Sequence, residues 1–174
     1  MCDCCNRAFS AWFSITTYQA GMVYNLINNY DNLTNKGYKI DFVDGNLNIN
    51  FYGQLYQIDI SLSVGKWYAL VINFNQKQSK LEVYLYKRKG LCNTNELDLL
   101  DEIIHPLVPV EYTGDLTLKL MGSYMSITNI RLWSEIIMKS EHSKVLSQYV
   151  VKETEYLILS DSGSKSIIAP HWKY

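Results

Sequence analysis

Proline is scarce in this chain, three residues in 174, and glycine supplies only nine. That composition excludes polyproline rods, collagen-like repeats and glycine-rich linkers. No apolar run approaches the roughly 20 residues that a helix needs to cross a bilayer, so membrane insertion is not expected. Charge of neither sign dominates: 16 Lys and Arg against 17 Asp and Glu leave a formal net charge of −1. The basic footprint that grips a phosphate backbone is therefore missing, and nucleic acid is not an expected partner. The opening run Met1–Arg7 lacks the basic segment, apolar core and small-residue cleavage site of a signal peptide.

Cysteines are few and badly spread for stapling. Cys2, Cys4 and Cys5 crowd the start and Cys92 stands alone. A disulfide framework would distribute them among distant strands, and a structural zinc site would show paired C-x-x-C spacings. Neither pattern is met, although the cluster could take a metal with His105 or His171. The simpler reading is a reduced, intracellularly made protein. The abrupt start, and an end at Pro170-His171-Trp172-Lys173-Tyr174, suggest a piece of a longer chain.

What the chain does have is alternation. Hydrophobic residues make up 48%, enough for one sizeable core, and Tyr occurs 14 times. Phe9, Ala11, Phe13 and Ile15 alternate with Ser10, Trp12, Ser14 and Thr16, the period-two signature of a strand with one buried face. Further strands are expected over 22–30, 38–43, 46–52, 55–62, 65–74, 80–88, 115–121, 126–133 and 155–160. Asp44-Gly45 sits between two of them as a two-residue hairpin turn. Residues 65–74 are apolar on both faces, which places that strand centrally with cover on each side. Leu81, Val83 and Leu85 point inward, leaving Glu82, Tyr84 and Tyr86 outward. Residues 90–112 read as a long loop with one edge strand. One helix is expected, over 140–149, with Ser140 as its cap and Val145, Leu146 and Tyr149 at helical spacing. Short strands at 8–12-residue spacing favour a sandwich over a parallel α/β arrangement. The expectation is an all-β, antiparallel β-sandwich with one short C-terminal helix, forming a single domain over 8–174 after a tail at 1–7.

The order of these signals resembles concanavalin A-like and laminin G-like jelly-roll domains. The resemblance covers roughly residues 8–160. It rests on Gly65-Lys66-Trp67-Tyr68-Ala69-Leu70-Val71 opening a long apolar strand, and on Leu81-Glu82-Val83-Tyr84-Leu85 after a short turn. Ile127-Thr128-Asn129-Ile130-Arg131-Leu132-Trp133 with Ser134-Glu135 completes it. Such a fold hosts lectins, adhesion modules, toxin receptor-binding domains and virus structural proteins. The Asn-, Tyr- and Lys-rich style resembles structural proteins of large bacteriophages, which implies a virion location and packing against other chains.

Three chemistries can be weighed on the residues. A jelly-roll glycosidase needs two carboxylates about 5–9 Å apart on one strand face, and no acid-x-acid pair lies on a confident strand. Glu153 and Glu155 have the spacing but stand where the chain enters its last strand. His105, His142 and His171 pair with no Cys or Ser nucleophile, so no catalytic residue is assigned and an enzyme is not expected. Calcium is the metal that the rim of such a sandwich takes, and Asp31, Asn32 and Asp44 are oxygen donors at strand ends; the same residues equally serve as turn formers. Glycans are held by aromatic faces with amides and carboxylates on the hydroxyls. Trp12, Tyr52, Tyr84 and Tyr86, flanked by Asn48, Asn50 and Glu82, supply that set. The competing expectation is that the 90–112 loop or a neighbouring subunit covers this face. The sequence thus points to a non-enzymatic structural or binding module, most simply part of a phage virion assembly, with a free lectin domain as the alternative and a glycosidase third.

Overall fold

The structure, a computed structural model, describes residues 6–88, 97–110 and 124–147. The strands expected at 115–121 and 155–160, and all four cysteines, lie outside the described residues. The fold is of the all-β, antiparallel sandwich class: two antiparallel sheets with one short helix. Two compact units divide the chain, one built on each sheet.

The first unit carries a five-stranded sheet. Its strands are β1 (Arg7–Ile15), β6 (Tyr68–Asn75), β7 (Lys80–Arg88), β8 (Leu97–Pro106) and β9 (Met125–Trp133), in the order β8-β7-β6-β1-β9. As expected for a run apolar on both faces, β6 is central, and all eight of its residues are buried. On one face Phe9, Ala11 and Phe13 of β1 lie in register with Ile72, Leu70 and Tyr68 of β6, and Leu81, Val83 and Leu85 extend the row. The other face carries Ala8, Trp12, Ala69, Val71, Tyr84 and Tyr86, against which Ile137 and Leu146 pack. The β1–β9 register shifts between Ser10 and Trp12. Asn129, at φ 52°, takes the left-handed conformation there, which Asn tolerates better than most residues.

The edge strand expected within 90–112 is β8, ten residues at the edge of the sheet and paired with β7 along its length. Its alternation is broken by a register shift between Leu85 and Tyr86 of β7, opposite Asp101 and Leu99. Leu99-Leu100 therefore reads as a break in period two when it is a bulge. The expectation that needs correction is where the helix begins. A 3-10 turn at Lys139–Glu141, capped at Met138, leads into α1 (His142–Ser147). Ser140 thus lies inside the turn and is not its cap.

The second unit carries a four-stranded meander: β2 (Val23–Asn28), β3 (Tyr38–Val43), β4 (Asn46–Phe51) and β5 (Gln54–Asp59), in chain order. The Asp44-Gly45 turn forms as expected, with both residues at positive φ, 47° and 83°. Val43 pairs with Asn46 across it. A second two-residue turn at Tyr52-Gly53, φ 48° and 80°, closes β4 onto β5 with Phe51 opposite Gln54. Tyr24, Ile40, Phe42, Leu47, Ile49, Phe51 and Ile58 are buried on one face. The opposite face is polar, because Asn and charged residues fill the alternate positions of three adjacent strands.

Candidate functional site

The residues expected to form one aromatic binding face fall into two groups. Trp12, Glu82, Tyr84 and Tyr86 share a face of the five-stranded sheet, while Asn48, Asn50 and Tyr52 belong to the four-stranded unit. Each group has its own surroundings.

Tyr84 and Tyr86 do face away from Leu81, Val83 and Leu85, but each is only 6% exposed. Among the described residues, Leu97 of the 90–112 segment and the stretch from Ile137 into α1 pack over them. Three polar residues pin that stretch down. Asn73, in the middle of β6, accepts from Ile137 N–H at 3.0 Å through Oδ1 and donates to Ile137 C=O at 2.9 Å through Nδ2. The same Nδ2 lies 3.1 Å from Glu82 Oε2. His142 fills the gap between the two tyrosine rings, with ring centroids 4.6 Å and 5.6 Å away in edge-on geometry. Trp12 Nε1 donates to Leu146 C=O at 3.1 Å. A carbonyl oxygen only accepts, so the 3.0 Å contact to Ile137 C=O puts the imidazole proton on Nε2. Nδ1 then accepts from the Tyr86 hydroxyl at 2.6 Å. The carbonyl of Ile137 accordingly receives both Asn73 and His142, which uses its two lone pairs.

Electrostatics follow from this enclosure. Burial, helped by Glu82 and Glu102, pushes the Tyr84 phenol up to about 12. Burial, with neighbouring Tyr84 and Glu102, pushes Tyr86 up to about 12 as well. Burial also holds the His142 imidazole below its ordinary value, a trend that Lys139 reinforces. The Ile137 carbonyl, Glu82 and Glu102 oppose it. Lys139 lies 5.9 Å over the Tyr84 ring and forms an ion pair with Glu102.

On the four-stranded sheet, alternate residues build a polar face. One row runs Asn25–Asp41–Asn48–Gln57, and the next runs Asn28–Lys39–Asn50–Leu55. Asp41 is only 4% exposed, with Lys39 Nζ at 2.6 Å from Oδ2 and Asn48 Nδ2 at 3.1 Å from Oδ1. The Oδ1 atoms of Asn25 and Asn50 are shielded and have no hydrogen-bond partner among the described residues. Buried polar atoms are normally satisfied, so two open acceptors on one face, on either side of a carboxylate, are unusual. Tyr52 does not lie on this face: it occupies the left-handed position of the β4–β5 turn, edge-on to Phe51 at 5.2 Å.

The residues considered for calcium are spent on turns. Asp31 accepts from Leu33 N–H at 2.9 Å and from the Thr34 hydroxyl at 2.6 Å. Those bonds hold its carboxyl below the usual value. Asp44 accepts from Gly21 N–H at 2.7 Å. Asp31 and Asn32 precede β3 and Asp44 follows it, so about 20 Å of strand separates them at ~3.3 Å per residue. One ion could not touch both ends. Among the described residues, no group of three or more His, Cys, Asp or Glu converges on a metal position.

Sequence reasoning weighed His142 only as a catalytic partner and passed over Asn73, Asp41, Asn25 and Lys39. Asn73 had a signal of its own, a lone amide in a run otherwise apolar on both faces. A buried amide needs partners, and here they lie 64 residues away.

No protein-family model and no curated protein sequence matches the chain. Its fold is similar to that of solved structures at low identity. The binding domain of Paraclostridial Mosquitocidal Protein 1 shares 20% identity at a TM-score of 0.55 over 82% of this chain. A candidate carbohydrate-binding protein from Bacteroides ovatus shares 13% at 0.53, also over 82%. The binding domain of botulinum neurotoxin DC, solved in complex with rat synaptotagmin II, shares 14% at 0.51 over 83%. The chain spans 37%, 40% and 36% of those three chains respectively. Among the described residues, no helix is long and apolar enough to cross a membrane.

Proposed function

We propose that this chain is a non-enzymatic binding module whose ligand is a glycan, held on the polar face of the four-stranded sheet. The observation that carries the reading is the polar face itself, where Asn25, Asp41, Asn48 and Asn50 stand on adjacent strands beside Lys39. Hydroxyl groups are the natural partners of such amides and carboxylates, and a sugar presents several at fixed spacing. Across two strand spacings and one residue pair, Asn25 and Asn50 stand about 12 Å apart, roughly the length of a disaccharide. Asp41 and Asn48 between them can accept and donate to the ring hydroxyls in turn. The similarity to binding domains and to a candidate carbohydrate-binding protein is consistent with this reading. The virion role rests on composition alone, and no feature of the fold adds to it.

A glycan-array screen of the purified chain tests this, run with calcium and again with EDTA. Binding to a related set of glycans is expected, unchanged by EDTA because Asp31 and Asp44 serve separate turns. Asp41→Asn and Asn50→Ala are each expected to weaken it about tenfold or more, since each removes hydrogen bonds worth about 1.5 kcal/mol or more at a shielded, charge-assisted site. Binding that survives both substitutions, in proteins that still fold, would move the site elsewhere. No binding from the folded chain would end the glycan reading.

A further inference from the structure

We propose that residues 137–147 form an acid-sensitive latch over the five-stranded sheet, with His142 as the titrating group, and that acidification uncovers the aromatic face of Trp12, Tyr84 and Tyr86. This concerns the other sheet and does not depend on the glycan reading.

The argument starts from hydrogen-bond geometry. The latch is held by the Ile137 peptide on Asn73, by Trp12 on Leu146, and by His142 between the two tyrosines. The first two anchors involve no titrating group. The third works only with a neutral imidazole, because Nδ1 must accept while Nε2 donates. When Nδ1 gains a proton, both ring nitrogens are donors, and the Tyr86 hydroxyl must turn to accept. Its own hydrogen then needs a new acceptor in a cluster where Tyr86 is 6% and His142 1% exposed. The new positive charge would sit in that same enclosure, where unpaired charge is costly.

Among the described residues, the groups facing His142 from each packed element are few. β7 supplies Glu82, Tyr84 and Tyr86, β8 supplies Glu102, and the latch itself supplies Lys139. Glu102 is engaged by Lys139, and Glu82 by Asn73. Each carboxylate keeps a second oxygen and favours an imidazolium through space, while Lys139 repels one and burial outweighs the rest. Both phenols stay protonated through the neutral and acidic range, since they titrate near 12. His142 is thus the one side chain of this cluster whose ordinary titration falls between pH 5 and 8.

The direction of the effect follows from linkage. A histidine held below its unfolded value of 6.5 binds its proton more readily when the latch is open. The latch is therefore at full strength above pH 6.5 and loosens as pH falls from there toward the depressed value. The open fraction rises by at most about tenfold per pH unit in that window.

Hydrogen-exchange mass spectrometry on the whole chain, corrected for intrinsic rates, reads this between about pH 5 and 7.5. Protection of residues 137–147 is expected to fall up to tenfold per unit below pH 6.5, while β3 and β4 stay constant. In His142→Gln, which keeps a donor and an acceptor but does not titrate, the latch should show no pH dependence. Constant latch protection in the unsubstituted chain, or the same decline in His142→Gln, overturns the proposal. Should His142→Gln fail to fold, the imidazole titration of the unsubstituted chain by NMR decides instead. Titration below 6.5 supports the latch, and titration at or above 6.5 overturns it.

Discussion

Asn73→Ala is expected to destabilise the chain by about 3 kcal/mol, read as a lower midpoint in urea with an unchanged slope. The side chain is 1% exposed and answers both polar groups of the Ile137 peptide. Removing it leaves a buried N–H with no acceptor and takes one of two donors from the carbonyl. An abandoned buried donor alone costs about 1–3 kcal/mol, well beyond the modest net worth of an ordinary hydrogen bond. A void where the amide stood adds to this. Asn73→Asp should do no better: it keeps the acceptor, loses the donor and sets a second carboxylate beside Glu82. The loss has an upper bound, because the latch can lift off while the sheet stays folded. In that event the global change is smaller and exchange protection of 137–147 collapses first. A loss under about 1 kcal/mol with the latch still protected would mean that the Asn73–Ile137 bonds do not hold it.

Asn73 also marks where reading a sequence stops. Alternation made the strands of both sheets visible, because inward and outward positions differ within a few residues of each other. The Asp44-Gly45 turn was legible for the same local reason. The outward direction of Tyr84 and Tyr86 was equally correct. The stretch from Ile137 over them was not visible, since it is joined to β6 by a contact spanning 64 residues. Strand β8 was legible as one edge strand within 90–112, but its bounds were not, because a single bulge puts two leucines in succession. Tyr52 looked like one more outward strand residue, and only the pairing of Phe51 with Gln54 shows that it belongs to a turn.

The candidate site was half legible for a related reason. The Asn46, Asn48 and Asn50 alternation on β4 announced a polar face, and that face exists. Its partners on β2 and β3, Asn25, Lys39 and Asp41, depend on register across strands. A lone strand does not state its register. Trp12, Tyr84 and Tyr86 were joined to the asparagines on chemistry alone. Chemistry does not say which sheet a strand joins.

The loop that delivers the chain into β3 sets that register, and it turns on Gly37. Here φ is +87°, and a Cβ would lie 2.5 Å from the Asn29 carbonyl oxygen and 3.0 Å from its Oδ1. Neither oxygen can retreat easily. Asn29 Oδ1 accepts from Tyr38 N–H at 2.7 Å, and Asn29 N–H donates to Tyr38 C=O at 3.0 Å. Gly37 C=O meanwhile accepts from Tyr52 N–H at 2.8 Å, which ties the same corner to the β4–β5 turn. Gly37→Ala is therefore expected to cost about 3 kcal/mol or more, roughly 1–2 from the left-handed backbone and the rest from displaced backbone. Gly21→Ala is the control, because it has a similar φ of +75° with nothing within 4 Å of its Cβ. It should lose only the conformational part, roughly 1–2 kcal/mol. The difference between the two midpoints isolates the close approach. Equal losses would mean that Asn29 gives way freely and that the corner does not fix where Lys39 and Asp41 stand. A large excess for Gly37, accompanied by weakened glycan binding, would tie the register of β3 to the polar face it presents.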